Sequence, residues 1–340
     1  MRICFFANMS GHANWREMFD KVEFYSVDIR LLRELGHDVV LAGRPQDLDL
    51  HADLYYCWWW GHAPYPLTLG AIRRRPVIVT GAFDYATCRE EIPGMCYLDR
   101  PRWQKAVLQG ALRFADANLF ISKYEQDEVT ANLRVNNPVL APLAVDTDYY
   151  CPQPHEPFIS DYFFSVSWTS RTNVIRKGIA QTIEAFARIA PEFPRTRLVL
   201  AGKPGDYEPN LRALASTLGI AERVEFLGMI SDEEKLQHYR RCIAYVQPTL
   251  YEGFGLAIAE ALATGCHVVS SDRGAVPEVA GAFAKCVDPK NTLAISEAMA
   301  ECVKTPLTAK EAAASHEWIA NNYSLGIRRR VLEKVIHRWT

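Results

Sequence analysis

Two glutamates, Glu252 and Glu260, are separated by seven residues and enclose a Gly253-Phe254-Gly255 turn. The apolar segment 243–247 before the turn predicts a buried strand, and 256–264 predicts a helix that Gly265 ends. A glycine-rich turn that leads into a helix presents backbone N–H groups and the positive end of the helix dipole to an anion. Carboxylates beside such a turn suggest a ligand with hydroxyl and phosphate groups, such as a nucleotide-sugar.

The turn alone leaves other functions open. A strand, a Gly-x-Gly turn and a helix are common in α/β proteins, where they often serve only to turn the chain. A dinucleotide-binding fingerprint requires a third glycine at the position that Ile258 occupies, so an NAD-dependent oxidoreductase is disfavoured.

A second candidate cluster follows the predicted strand 162–166. We expect Arg171 and Lys177 on one loop between this strand and the predicted helix 177–190. Two cations on one loop can neutralise a diphosphate, Arg through forked hydrogen bonds and Lys as a point charge. In isolation, the same residues are more typical of a solvated surface loop.

The composition narrows the class of protein. The chain has 340 residues, 49% of them hydrophobic, and a net charge of −2 from 38 basic and 40 acidic residues. This length allows two domains, and the charge balance does not favour a nucleic-acid partner. Nine cysteines without a CxxC pair disfavour zinc and favour a reducing compartment. The N-terminus lacks a signal-peptide pattern, so we expect a cytoplasmic protein.

Apolar strands alternate with amphipathic helices along the chain. The predicted strands are 2–7, 38–42, 54–58, 77–80, 117–121, 139–141, 162–166, 197–201, 224–227, 243–247 and 267–271. The predicted helices are 20–35, 103–114, 123–133, 177–190, 209–218, 232–241, 256–264, 292–303, 308–321 and 327–338. This alternation predicts an α/β fold class with parallel sheets and helices on both faces.

The alternation stops around 145–157, where Pro152, Pro154 and Pro157 indicate a linker. We therefore expect two doubly wound, Rossmann-like domains, 1–150 and 151–322, facing across a cleft. The segment 323–340 is expected to form a helix that crosses back to the first domain. In open α/β sheets ligands bind beyond the carboxyl ends of the strands, where both candidate clusters lie.

Several motifs in one order resemble the GT-B-fold retaining glycosyltransferases of family 4, also called glycosyl transferases group 1. Glu252 to Glu260 is similar to that family's E-x7-E signature, and Arg171 with Lys177-Gly178 is similar to its R-x5-K-G. Further similar segments are 145–152, 198–202, 224–228 and 271–279. The resemblance is close over about residues 140–290 and looser over the N-terminal half.

The resemblance implies transfer of a sugar, with retention, from a UDP-, GDP- or ADP-sugar to a hydroxyl of a glycan, lipid-linked or small-molecule acceptor. Glu252 would accept hydrogen bonds from the donor sugar and Glu260 from the ribose. Arg171 and Lys177 would stabilise the leaving diphosphate. The other expected donor-binding residues are Gly253, Phe254, Gly255 and Leu256 at the turn, Met229 and Ile230 near the base, and Gly11 and His12 near the diphosphate.

The N-terminal half, which the resemblance assigns to the acceptor, departs from the family pattern. The turn after the fourth predicted strand runs from Thr80 to Asp84 and lacks the family's histidine. His62 and Asp84 are candidates to replace it as catalytic residues, and a structural role is an equal alternative for each.

Three further expectations concern metals, membranes and the class of enzyme. The Asp-x-Asp triplets at 47–49 and 146–148 are interpreted as structural, so no metal and no cofactor are expected. Tryptophans 58–60, Tyr65 and arginines 73–75 suggest peripheral membrane contact, unless the tryptophans finish a buried strand. A GT-B nucleotide-sugar 2-epimerase and a two-lobed binding protein remain alternatives to a transferase.

Overall fold

The computed structural model describes residues 1–153 and 160–339, which form two compact units. The first unit contains Met1–Ala86, Gly94–Ala144 and Tyr323–Thr340, and the second contains Thr87–Pro93 and Val145–Asn322. Of the three prolines in the predicted linker, Pro154 and Pro157 lie outside the described residues.

The first unit contains a six-stranded parallel sheet. Its strands are β1 (Arg2–Phe6), β2 (Asp38–Ala42), β3 (Leu54–Trp58), β4 (Val77–Gly81), β5 (Ala117–Phe120) and β6 (Pro138–Leu140). The helices that alternate with them are α1 (Trp15–Lys21), α2 (Glu23–Glu34), α3 (Pro64–Arg73), α4 (Arg102–Phe114) and α5 (Lys123–Asn132). The strand order is β2-β1-β3-β4-β5-β6, so the order reverses beside β1.

The second unit contains another six-stranded parallel sheet. Its strands are β7 (Tyr162–Val166), β8 (Arg197–Ala201), β9 (Val224–Gly228), β10 (Tyr245–Val246), β11 (Val268–Ser271) and β12 (Ala284–Val287). Its helices are α6 (Arg171–Lys177), α7 (Ile179–Ile189), α8 (Glu208–Thr217), α9 (Asp232–Arg241), α10 (Leu256–Ala263), α11 (Val276–Ala280), α12 (Thr292–Lys304) and α13 (Ala309–Tyr323). The order β12-β11-β10-β7-β8-β9 reverses between β7 and β10, and such a switch point is where open α/β sheets bind ligands.

The two parallel α/β sheets confirm the predicted fold class, but several predicted elements were wrong in detail. Arg171 and Lys177 do not lie on a loop, because they are the first and last residues of α6. The predicted helix 20–35 is divided at Val22, whose extended backbone separates α1 from α2. The predicted strand 243–247 contains only the two residues of β10, and α11 and β12 were not predicted.

The tryptophans at 58–60 belong mainly to the interior of the first unit. Trp58 and Trp60 are buried, so these two side chains are not available to a membrane as suggested. Trp60 donates a hydrogen bond to the Asn118 side chain at 2.8 Å. The segment 54–73 forms β3, a short 3₁₀ turn (Trp60–His62) and α3.

A buried ion pair joins α2 to the C-terminal helix α14 (Leu325–Ile336), which belongs to the first unit. Arg328 donates two hydrogen bonds to the Asp28 carboxylate, one of them at 2.8 Å, and both residues are buried. Tyr56 and Trp58 donate to the same carboxylate at 2.9 and 3.2 Å. Arg328 also donates to the carbonyl of Ala141, the residue after β6, at 2.7 Å. The Arg328 guanidinium therefore fixes α14 to the end of the sheet.

Replacing Arg328 with Ala should destabilise the first unit strongly, because it leaves the Asp28 charge buried with only neutral donors. The expected loss in the free energy of unfolding is about 3–5 kcal/mol, measured by chemical denaturation with circular dichroism. Arg329→Ala changes the exposed neighbour on the same helix and should cost less than about 0.5 kcal/mol. Equal losses for the two variants would show that the ion pair does not hold α14.

Candidate active site

Strands β7 and β10 bring the two predicted clusters of the second unit together. The two strands are hydrogen-bonded neighbours, with Tyr245 opposite Phe164. The chain leaves the carboxyl end of β7 toward α6, and it leaves β10 toward Gln247 and Glu252. The C-terminal end of α6 and the turn after β10 therefore meet at the switch point of the sheet.

Glu252 is the centre of this cluster. Its carboxylate lies 3.1 Å from the Arg176 guanidinium and 3.7 Å from the Lys177 ammonium, and Gln247 donates a hydrogen bond to it at 2.8 Å. The Gln247 carbonyl oxygen in turn accepts from Lys177 at 3.3 Å and from Tyr245 at 2.5 Å. Only 13–19% of the surface of the three charged side chains is exposed, so these contacts are largely shielded from water.

Burial and charge shift both titratable groups of this pair. Burial by itself raises the pKa of Glu252, but the positive charges of Arg176 and Lys177 outweigh it and hold that pKa below its ordinary value. Burial lowers the pKa of Lys177, and the charge of Glu252 opposes that shift. Glu252 is therefore ionised, and Lys177 loses its proton more readily than a lysine in water does.

The backbone around Gly178 allows this close approach. Gly178 has a φ of +66°, and a Cβ atom at this position would lie 2.2 Å from the Pro248 carbonyl oxygen. The Arg176 carbonyl accepts hydrogen bonds from the Leu250 N–H at 2.7 Å and from the Thr249 hydroxyl at 2.8 Å. The end of α6 is therefore fixed against the turn after β10, and a larger residue at 178 would separate them.

The glycine turn positions the start of α10. Gly255 is the N-cap of this helix with a φ of +97°, Leu256 is its first residue, and Phe254 is buried. The first N–H groups of a helix have no partner inside it and point out of its N-terminus. Gly253 connects this turn to Glu252, whose carbonyl accepts from the Ala275 N–H at 3.0 Å.

Glu260 belongs to α10, and its side chain is buried. One of its oxygens accepts a hydrogen bond from the Tyr239 hydroxyl at 2.9 Å, and the other accepts from the Lys235 ammonium at 3.0 Å. Each carboxylate oxygen offers two lone pairs, so the contacts with α9 leave acceptor capacity for a ligand hydroxyl.

The other predicted residues of the second unit lie at the start of α6 and after β9. Arg171 is exposed at the opposite end of α6 from Lys177, and its backbone N–H donates to Asp206 at 3.1 Å. Met229 and Ile230 follow the carboxyl end of β9, and Met229 is exposed.

The predicted residues of the first unit follow three neighbouring strands. Gly11 and His12 lie in an exposed turn after β1, His62 lies after β3, and Asp84 lies after β4. Burial lowers the pKa of His62, while a hydrogen bond with the Trp58 backbone opposes the shift. Its Nδ1 atom is buried and has no hydrogen-bond partner among residues 1–153 and 160–339.

Two carboxylates of α5 hold the loop that carries Asp84. Glu125 accepts a hydrogen bond from the Phe83 N–H, and Glu128 accepts one from the Tyr85 N–H. Burial, together with the negative charge of Asp84, raises the pKa of Glu128 to about 7. The charge beside Asp84 therefore changes within the neutral pH range.

Sequence reasoning missed four residues that contact the two glutamates: Arg176, Gln247, Lys235 and Tyr239. A signal existed for Lys235 and Tyr239, which are four positions apart on a correctly predicted helix and so share a face. Gln247 is the polar residue that ends an apolar strand. Arg176 directly precedes the predicted Lys177, but its contact depends on α6, which was not predicted.

The described residues contain neither a candidate metal site nor a membrane-spanning helix. Within 1–153 and 160–339, no three His, Cys, Asp or Glu side chains are grouped so that they could hold a metal ion. Asp47 is paired with Arg44, and Asp49 with Arg2. None of the helices in these ranges has the length and apolar character needed to cross a membrane.

Comparison with known proteins relates the second unit to one family. Residues 169–324 match the profile of the family described as "Glycosyl transferases group 1". The O-antigen chain mannosyltransferase B of Escherichia coli is 30% identical over 221 residues, which cover 62% of this chain and 56% of that protein. A GDP-mannose-dependent alpha-(1-6)-phosphatidylinositol monomannoside mannosyltransferase of Mycolicibacterium smegmatis is 29% identical over 229 residues, covering 62% of this chain and 59% of that protein. The chain thus spans little more than half the length of these two relatives.

Solved structures show the fold of the whole chain. A sucrose-phosphate synthase from Thermosynechococcus elongatus is similar with a TM-score of 0.79 and 17% identity, covering 99% of this chain and 98% of that one. Anabaena Alr3699/HepE, solved in complex with UDP and glucose, is similar with a TM-score of 0.76 and 18% identity, covering 99% of this chain and all of that one. These similarities confirm the predicted GT-B fold.

Replacing Glu128 with Gln should change stability in a pH-dependent way. In the fold the pKa of Glu128 is about 7, above its ordinary value of 4.5, so the ionised form above pH 7 costs stability that is regained as the pH falls toward 4.5. Glu128→Gln keeps the acceptor for Tyr85 and should melt at the same or a higher temperature than the wild type at about pH 8.

This advantage should disappear at about pH 5, where the wild-type side chain is protonated. Thermal melts of both proteins across this range provide the measurement. Asp127→Asn, which changes an exposed carboxylate on the same helix, should show no such trend. A Gln variant that is less stable by the same amount at both pH values would contradict the raised pKa.

Proposed function

Because residues 169–324 belong to the glycosyl transferases group 1 family, we propose that this protein is a retaining glycosyltransferase. It moves a sugar from a nucleotide-sugar to a hydroxyl of a glycan, lipid-linked or small-molecule acceptor. The observation that carries the proposal is the cluster of Arg176, Lys177 and Glu252 at the switch point of the second sheet.

The charges of this site suit a diphosphate. Helix α6 places Arg176 and Lys177 beside the carboxylate of Glu252, which leaves a net charge of +1 at the turn after β10, and Arg171 adds a third cation at the other end of α6. The diphosphate of a nucleotide-sugar carries two negative charges. The first N–H groups of α10 add further donors at the same turn.

The chemical roles follow from where charge develops during the reaction. When the bond from the sugar to the diphosphate breaks, negative charge increases on the leaving phosphate, and Lys177 with the arginines of α6 stabilises it. Glu252 accepts hydrogen bonds from the sugar hydroxyls, and Glu260 accepts them from the ribose. The acceptor hydroxyl attacks from the face that the phosphate leaves, so the phosphate takes its proton and the configuration is retained.

The first unit binds the acceptor in this proposal. His62, whose pKa is lowered and whose Nδ1 lacks a partner among the described residues, is suited to accept or donate a hydrogen bond as a neutral imidazole. Asp84 is the alternative residue at the position of the missing histidine. Gly11 and His12 follow β1, and Met229 and Ile230 are assigned to the donor base.

The donor and the place of action are also part of the proposal. One relative named above depends on GDP-mannose and one similar structure contains UDP, so both bases are candidates together with ADP. All nine cysteines are free thiols, which supports a reducing, cytoplasmic environment. A lipid-linked acceptor would place the protein at the cytoplasmic face of a membrane.

A panel of UDP-, GDP- and ADP-sugars, with NAD as the control ligand, tests the proposal. We expect one nucleotide-sugar to raise the melting temperature, NAD to have no effect, and the anomeric configuration of the product to match the donor by NMR. Transfer should continue in excess EDTA. Release of a 2-epimerised sugar without an acceptor would identify an epimerase, and stabilisation by NAD alone would overturn the proposal.

Variants of Glu252 and Lys177 should separate sugar recognition from phosphate binding. Glu252→Gln removes a negative charge, so it should bind the nucleoside diphosphate at least as tightly as the wild type while transfer falls by about 10²–10³-fold. Lys177→Met should weaken both diphosphate binding and transfer. Calorimetry and a transfer assay measure the two effects.

The matched control is Lys304→Met, which changes an exposed lysine paired with Glu192. It should leave binding and transfer unchanged. A folded Lys177→Met protein with normal transfer would contradict the role assigned to Lys177.

A further inference from the structure

The outer face of α3 and α4 in the first unit combines positive charge with exposed apolar side chains. No carboxylate occurs between Pro64 and Arg75 or along α4, while these segments carry six cations. The cations are the five arginines Arg73, Arg74, Arg75, Arg102 and Arg113, and Lys105, whose ammonium donates to the Leu98 carbonyl at 2.6 Å and so does not belong to the outer face. The whole chain has a net charge of −2, so this face is a local concentration of positive charge.

The same face exposes large apolar side chains that the fold does not cover. Ile72 is 72% exposed, Trp103 is 66% exposed and Phe114 is 67% exposed. On α4, Trp103, Val107, Gly110 and Phe114 follow one another at helical spacing, so they lie on one side of the helix. The opposite side of α4 carries the buried residue Leu112 and its neighbours.

A cavity of about 740 Å³ opens on this face. Its apolar walls include Leu67 and Ala71 of α3 and Val107 and Phe114 of α4, and Arg74 and Arg75 also line it. Asp116 also lines the cavity and accepts a hydrogen bond from the Val77 N–H at 2.8 Å, while Asp53 lies 3.7 Å from Arg75, so the face carries two carboxylates against its cations.

We propose that this face, formed by α3, α4 and the cavity that they line, binds the surface of an anionic lipid bilayer. The five arginines attract the phosphate groups, and Trp103, Phe114 and Ile72 insert at the boundary between head groups and acyl chains. The cavity offers an apolar volume to part of an acyl chain. This docking surface differs from the membrane contact suggested by the sequence, because Trp58 and Trp60 are buried and do not belong to it.

Other occupants fit the face less well. A second copy that used the same face would oppose five arginines with five arginines. A nucleic acid would satisfy the arginines but not the exposed Ile72 and Phe114 or the apolar cavity. A bilayer with anionic lipids offers both the negative charge and the apolar phase. The proposal is independent of the transfer reaction, so its test needs no sugar donor.

Sedimentation with vesicles tests the proposal directly on the full chain. We expect binding to phosphatidylcholine vesicles that contain about one third phosphatidylglycerol at roughly 0.05 M salt, and release at roughly 0.5 M salt. Vesicles of phosphatidylcholine alone should bind much less. Equal binding to both kinds of vesicle, or none to either, would overturn the proposal.

Two variants distinguish the contributions of charge and apolar contact. Arg73→Glu with Arg102→Glu, and separately Ile72→Ser with Phe114→Ser, should each lower the partition coefficient at least about tenfold. The matched controls are Arg329→Glu with Arg330→Glu and Leu293→Ser, which alter exposed residues elsewhere and should bind normally. Thermal melts check that all variants fold.

A spectroscopic measurement checks that Trp103 itself enters the lipid. Anionic vesicles should shift the tryptophan emission to shorter wavelength, and Trp103→Phe should abolish most of the shift. A shift that persists in Trp103→Phe would contradict this docking face. Light scattering without lipid completes the test, because a dimer that Ile72→Ser with Phe114→Ser dissociates would identify a second copy as the occupant instead.

Discussion

The buried carboxylate of Glu252 is the constraint on which the arrangement of the second unit depends. A carboxylate removed from water is stable only if cations and N–H donors replace its hydration. Arg176, Lys177 and Gln247 supply these contacts. They reach Glu252 because β7 and β10 are neighbours and because Gly178 leaves room for the Pro248 carbonyl. The sheet order, the left-handed backbone of Gly178 and the charges of the site therefore act together to stabilise the buried Glu252 carboxylate.

The fold was predictable because its signals are local. Strands such as β3 and β8 are short apolar runs, and helices such as α4 and α12 repeat apolar residues at helical spacing, so their bounds were predicted to within one residue. The failures also have local causes. Helix α6 contains only one buried residue, Val174, and therefore shows no apolar face, while Val22 breaks a helix whose apolar spacing continues across the break.

The candidate site was only partly predictable, because its contacts join residues that are distant in sequence. Gln247 is 70 positions from Lys177, and Lys235 is 25 positions from Glu260. Spacing within one segment identified the two glutamates and Lys177, which share the switch point of the sheet. It could not show that Arg176 and not Arg171 contacts Glu252, because that depends on how α6 directs its last turn toward the loop after β10.

Burial decides what an aromatic residue does in the first unit, and a local pattern of aromatic and basic residues does not reveal burial. Trp58 belongs to a parallel strand whose five residues are all buried, and its indole N–H helps to satisfy the charge of Asp28. Trp103 belongs to a helix that buries only one side against the sheet. An aromatic side chain on the other side of such a helix gains little from folding, and the proposed docking face gives Trp103 and Phe114 a role outside the chain.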